Sequence, residues 1–68
     1  MPILKTKIHE FRKERGMQQS ELAEFVGVRR ETIGNLENGK YNPSLKLAMD
    51  IAKVFECKVE DIFNFVED

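Results

Sequence analysis

A chain of 68 residues makes one small domain, with 41 % hydrophobic residues to build a core and 34 % charged residues to solvate it. The balance of 11 Lys+Arg against 12 Asp+Glu, net −1 with a pI near 5.8, weighs against a general polyanion binder. No apolar run approaches the ~18–20 residues of a membrane span, and one Cys with one His cannot assemble a zinc site.

The N-terminal segment MPILKTKIHEFRK lacks the long apolar region of a secretory signal, and Cys57 has no partner for a disulfide; both place the chain in the cytoplasm. Helical spacing recurs along the sequence, whereas apolar and polar residues never alternate over a strand's length. The expected fold is therefore all-α, a single domain over residues 1–68 with no linker or repeat.

A first helix is predicted from about Lys5 to Arg15, with Ile8 and Phe11 inward and Gly16 ending it. A second runs from about Gln19 to Val26 and turns Leu22, Ala23 and Val26 to the core. Gly27 breaks it and Val28 plugs the turn. The third, from about Arg29 to Asn38, buries Ile33 and Leu36 and stops at Gly39. After the loop KYNP, Ser44 is placed to cap a fourth helix that carries Leu45, Ala48, Ile51, Ala52 and Phe55 at helical spacing. A short fifth helix covers about Val59 to Phe63. Met17, Met49 and the phenylalanines read as core, and Cys57 as a small filler.

A helix, a Gly-Val turn and a helix with a polar outer face form the layout of a helix-turn-helix. The segment GMQQSELAEFVGVRRETIGNLENGKYNPS strengthens this reading through Gln19, Leu22, Ala23, Gly27, Val28, Ile33, Glu37, Gly39, Pro43 and Ser44. It resembles the signature of the Xre-like (phage repressor/Cro-like) family of prokaryotic regulators, and the similarity continues through LAMDIAKVF to VEDIF. The resemblance implies a five-helix lambda-repressor-like domain that binds double-stranded DNA. The third helix would lie in the major groove while the second crosses the backbone. It also implies a salt bridge between Arg12 and Glu37 that joins the first helix to the third.

The residues agree with the implied role. Positions 30, 31, 34 and 35 fall on one outward stripe, opposite Ile33 and Leu36. Arg30 suits guanine O6 and N7, Glu31 the cytosine amino group, Asn35 adenine, and Thr32 a phosphate or a thymine methyl. Gln19 at a helix start is a candidate backbone anchor, as are Arg29, Asn38, Lys40 and Tyr41 around the third helix. The charge distribution points the same way. Residues 1–40 hold eight Lys/Arg and six Asp/Glu (+2), and residues 41–68 hold three and six (−3).

Four positions depart from the family pattern: Gln18 and Arg29 stand where capping residues are usual, Gly34 interrupts a helix, and Glu31 puts a carboxylate where many relatives carry an amide. For Gly34, close approach to DNA and simple tolerance are both open. One recognition helix reads few bases, so a homodimer on a two-fold operator is expected, with Phe65 and Val66 as interface residues and a disordered acidic tail as the alternative for that segment. The rival reading is a protein-interaction module, such as an antitoxin or an antagonist of another regulator. Nothing in the sequence supplies a catalytic set, a cofactor or metal site, or a small-molecule substrate, so no enzyme is expected.

Overall fold

The computed structural model describes residues 2–67. Chain order is β1 (Pro2–Thr6), α1 (Ile8–Glu14), α2 (Gln19–Val26), α3 (Arg30–Glu37), α4 (Leu45–Val54), α5 (Val59–Ile62) and β2 (Phe63–Glu67). The five expected helices are all present among the described residues. The fold class is that of the expected all-α domain, with one addition: β1 and β2 pair antiparallel, Pro2 opposite Glu67 through Thr6 opposite Phe63.

The sheet corrects two boundaries and the expectation that no strand would form. Residues 5 and 6 leave the first helix for β1, which therefore ends where the Lys7 N–H bonds the Ile62 carbonyl at 2.8 Å. Phe63 leaves the last helix for β2, whose aromatic and β-branched residues suit a pleated surface. Leu4 and Phe63 on one face of the pair are buried and close the bottom of the core.

The core is made by one stripe from each helix. Ile8, Leu22, Ile33, Leu36, Ile51, Phe55 and Ile62 are fully enclosed, and Phe11, Met17, Val26 and Val28 pack against them. Phe11 and Phe55 meet edge to face with ring centres 5.5 Å apart. The Arg15 guanidinium lies 5.0 Å from the Phe55 ring centre and donates to the Phe55 carbonyl at 3.0 Å, fastening the end of α1 to the end of α4.

Four apolar residues expected in the core are instead exposed: Leu45 (74 %), Phe25 (67 %), Phe65 (58 %), which is also an interface candidate, and Met49 (55 %). The buried stripe of α4 is centred on Ala48, Ile51 and Ala52, so Leu45 and Met49 fall on its flank. In α2 the buried pair is Leu22 and Ala23, and Phe25 lies off that line. Cys57 is half-buried; burial first, and then the charge of Asp61, push its thiol up, against a smaller pull from Arg15. That is the opposite of what a reactive thiolate needs.

Capping follows the sequence closely. The Ser44 Oγ accepts from the Leu47 N–H at 3.1 Å, so Ser44→Ala should cost about 1 kcal/mol, read as a lower urea midpoint. At α2, where Gln18 replaces the usual cap, Glu21 reaches back and accepts from the Gln18 N–H at 2.9 Å. Arg29 offers α3 no such bond. Gly39, at φ +69°, ends α3 in a left-handed turn, and a Cβ there would stand 2.9 Å from the Leu4 carbonyl oxygen. That contact seats β1 under the α3–α4 loop.

Candidate nucleic-acid interface

The turn between α2 and α3 is set by Gly27, at φ +73°, a conformation that costs a Cβ-bearing residue more than glycine. The Val28 N–H then bonds the Ala23 carbonyl at 3.0 Å, and Val28 packs against the core. With Ile33 and Leu36 fully buried, α3 cannot roll, and its opposite face is held toward solvent.

On that face Arg30, Glu31, Asn35 and Asn38 are exposed. Thr32 and Gly34 are half-buried, so Thr32 sits at the border of the stripe rather than on its crest. Arg29 flanks the start of α3. Lys40 and Tyr41 follow its end, where the Lys40 N–H bonds the Asn35 carbonyl at 2.9 Å. The predicted base-facing residues Arg30, Glu31 and Asn35 thus share the outward face of α3, with Thr32 at its border. An open groove beside them is lined by Lys13, Gly16, Gln18, Gln19 and Arg30.

Beneath this face lies the Arg12–Glu37 pair that the resemblance implied. Arg12 Nε donates to Glu37 Oε2 at 2.6 Å and Nη2 to Oε1 at 3.1 Å, with both side chains under a tenth exposed. Arg12 Nη1 also donates to the Met17 carbonyl at 2.8 Å, and Nη2 lies 3.1 Å from His9 Nδ1. For Glu37, burial alone would push its carboxyl up. Hydrogen bonds from Arg12 and Gln19, with the charges of Arg12 and His9, outweigh that and hold it below its ordinary 4.5.

One link was invisible in the sequence. Gln19 Nε2 donates to Glu37 Oε1 at 3.1 Å, and Arg30 Nη1 donates to Gln19 Oε1 at 2.9 Å. A guanidinium only donates and a carboxylate only accepts, so the carboxamide orientation is fixed by its two neighbours. Gln19, expected as a phosphate anchor, therefore also tethers Arg30 to the buried pair. Its partners lie 18 and 11 positions away, beyond any local pattern. Lys46, by contrast, pairs along its own helix with Asp50 at 2.7 Å.

Gly34 is not demanded by the fold. A Cβ there would meet only the side-chain ends of Arg30 and Gln19, each at 3.9 Å, which is ordinary contact. Gly34→Ala should therefore raise stability by about 1 kcal/mol, checked by thermal melting. A stabilised variant that also loses DNA affinity would assign the glycine to close approach; unchanged affinity would assign it to tolerance.

Comparison with known proteins bears on this arrangement. The profile of the helix-turn-helix family HTH_3 matches residues 8–62, from the start of α1 to the end of α5. The chain belongs to this helix-turn-helix family. It is similar to an HTH-type transcriptional regulator of Archaeoglobus fulgidus, 63 % identical over 65 residues, which covers 96 % of this chain and 92 % of that protein. Among solved structures it is similar to the N-terminal DNA-binding domain of SinR from Bacillus subtilis. That match has 33 % identity and a TM-score of 0.72, over 79 % of this chain and 80 % of that one. A structure of SinR, the master regulator for biofilm formation, in complex with DNA matches equally well, covering 79 % of this chain and 87 % of the other. The helix-turn-helix match leaves β1 and β2 outside it. Among the described residues, no group of His, Cys, Asp and Glu could hold a metal ion, and no helix is long and apolar enough to cross a membrane.

Proposed function

We infer that this helix-turn-helix protein is a DNA-binding transcriptional regulator, not an enzyme, and that it represses by occluding a promoter. It binds double-stranded DNA sequence-specifically with α3 in the major groove. The observation that carries the reading is the outward row of Arg30, Glu31 and Asn35 on a helix whose inner face is locked into the core. The relation to SinR, solved in complex with DNA, supports it.

In this reading Arg30 donates twice to a guanine, Glu31 accepts from a cytosine and Asn35 pairs with an adenine. Thr32, at the border of the stripe, takes a thymine methyl or the adjoining phosphate. Gln19, Arg29, Asn38, Lys40 and Tyr41 hold the backbone and fix the register. Two copies read the two halves of a symmetric operator, their recognition helices about 34 Å apart. The absence of a side-chain cap at Arg29 supports the phosphate role, because the free N–H groups of α3 favour an anion there.

Selection from a randomised duplex pool at two salt concentrations tests the proposal. The expected result is enrichment of a two-fold symmetric motif. Binding that falls steeply with salt and enriches no motif would reduce the interaction to phosphate contacts. No binding would overturn the reading in favour of a protein-interaction module, for which Phe25, Leu45 and Met49 supply exposed apolar groups.

A further inference from the structure

The two-stranded sheet has two outer edges, and they are not equivalent. The bond from the Lys7 N–H to the Ile62 carbonyl continues the β1–β2 register by one pair. Hydrogen-bonded pairs alternate along an antiparallel ladder, so Lys5 with Asn64 and Ile3 with Val66 are the bonded pairs. Leu4 and Thr6 on one strand, and Phe63, Phe65 and Glu67 on the other, aim their backbone groups outward.

The outer edge of β1 is guarded. It begins at Pro2, which has no N–H, carries Lys5, and has Gly39 lying against the Leu4 carbonyl. The outer edge of β2 has no such protection. The Phe63 N–H is spent on the Val59 carbonyl, but among the described residues Phe65 and Glu67 make no backbone hydrogen bond beyond the β1 ladder. This strand, FNFVE, has no proline, lysine or bulge, and its one charge is Glu67 at the end.

The side chains carry the same asymmetry. Phe65 stands opposite Leu4, on the face of the sheet that covers the core, yet it is 58 % exposed while Leu4 is 6 % exposed. Phe65 is bare because the sheet stops at β2. On the other face Ile3 and Val66 stand opposite one another, also exposed.

We propose that the outer edge of β2 is a homodimer interface, where two copies pair antiparallel about Phe65 and join their sheets into one of four strands. This specifies the dimer of the proposed function and rests on that reading. The register is dictated by self-complementarity. Centring the two-fold axis on Phe65 sets Phe65 against Phe65 of the second copy and Glu67 against Phe63. Outward backbone groups then meet outward groups, except that each Glu67 carbonyl faces the Phe63 N–H already used within its own chain. The Phe65 pair exchanges N–H and carbonyl bonds both ways, and each Glu67 N–H reaches a Phe63 carbonyl, the one whose own N–H is already used. The two Phe65 rings become a cross-strand aromatic pair and extend the Leu4 row across the axis. On the outer face Val66 meets Val66 of the second copy diagonally, flanked by each Ile3. No like charges face each other, since Glu67 falls opposite an uncharged residue.

Sedimentation and amide exchange of the whole chain test this. The wild type should sediment as a dimer at micromolar concentration. Phe65→Pro removes an N–H that the β1 ladder does not use, and it should raise the dimer dissociation constant at least ten-fold with unchanged helical circular dichroism. Met49→Lys, on the exposed flank of α4, should leave the dimer intact. Because Phe65→Pro alters the strand backbone as well as the edge, exchange on the wild type is the second arm. The Phe65 and Glu67 amides should gain protection as concentration rises, whereas Asn64 and Val66 should be protected at all concentrations. A monomeric wild type, a Phe65→Pro dimer of full affinity, or concentration-independent exchange at Phe65 would each overturn the proposal. The DNA reading fails separately: a β2 dimer with no affinity for any duplex sinks that reading and leaves the interface standing.

Discussion

Glu37→Ala should lower the unfolding free energy by about 3–5 kcal/mol, the loss typical when one partner of a buried ion pair is removed. The Arg12 guanidinium would remain enclosed with only the Met17 carbonyl and His9 near it. Small domains have about 5–15 kcal/mol in total, so a urea titration should find this variant close to its midpoint without denaturant. Glu37→Gln keeps the shape and part of the hydrogen bonding, so its loss should be smaller. An equal loss for the two variants would mean that charge, rather than packing, holds the site. The same carboxylate makes stability depend on pH in a defined direction. Its folded value is depressed, so the unfolded chain binds the proton more tightly. Its contribution is complete above the ordinary 4.5 and is lost as pH falls through the lower folded value. Glu37→Gln should flatten this acid limb of the stability curve.

Arg30→Ala should leave the fold intact and weaken specific DNA binding by about 1–3 kcal/mol, roughly 5- to 150-fold, with relaxed choice at one base pair per half-site. Arg30 is exposed and its one side-chain hydrogen bond among the described residues is to Gln19, so little stability depends on it. Affinity for the selected motif and for single-pair variants of it, at fixed salt, measures both effects. A uniform loss across all sequences would demote Arg30 to a phosphate contact. Gln19→Ala separates the tether from the contact: it leaves the guanidinium in place but free to wander. Its loss should be smaller than that of Arg30→Ala, and in the double variant only the share from Gln19's own phosphate contact should remain.

Much of this was legible in the sequence because glycines and helical spacing report local geometry. Gly27 and Gly39 bracket α3, and Ile33 and Leu36 fix which side of it faces out. The Arg12–Glu37 pair joins residues 25 positions apart and was reachable only through the family resemblance. The strands were not legible, for two reasons. PILKT and FNFVE are too short for alternation to stand out, and each is stabilised by the other from the opposite end of the sequence. Leu45, Met49 and Phe25 show the limit of periodicity. A five-helix domain this small has too little interior to enclose every apolar residue on a broad stripe. The Gln19 link was not legible, since it joins α2 to α3 through the side-chain tips of three residues distant in sequence.

The pairing of Pro2 with Glu67 also bears on how the protein is made and lost. The α2–α3 unit draws its contacts from neighbouring sequence and can assemble early, whereas the sheet must close a loop of nearly the whole described chain. Ile3→Ala or Val66→Ala should therefore speed unfolding while leaving the folding rate nearly untouched, the pattern of contacts absent from the transition state. The sheet thus governs how long the native state survives rather than how quickly it is reached.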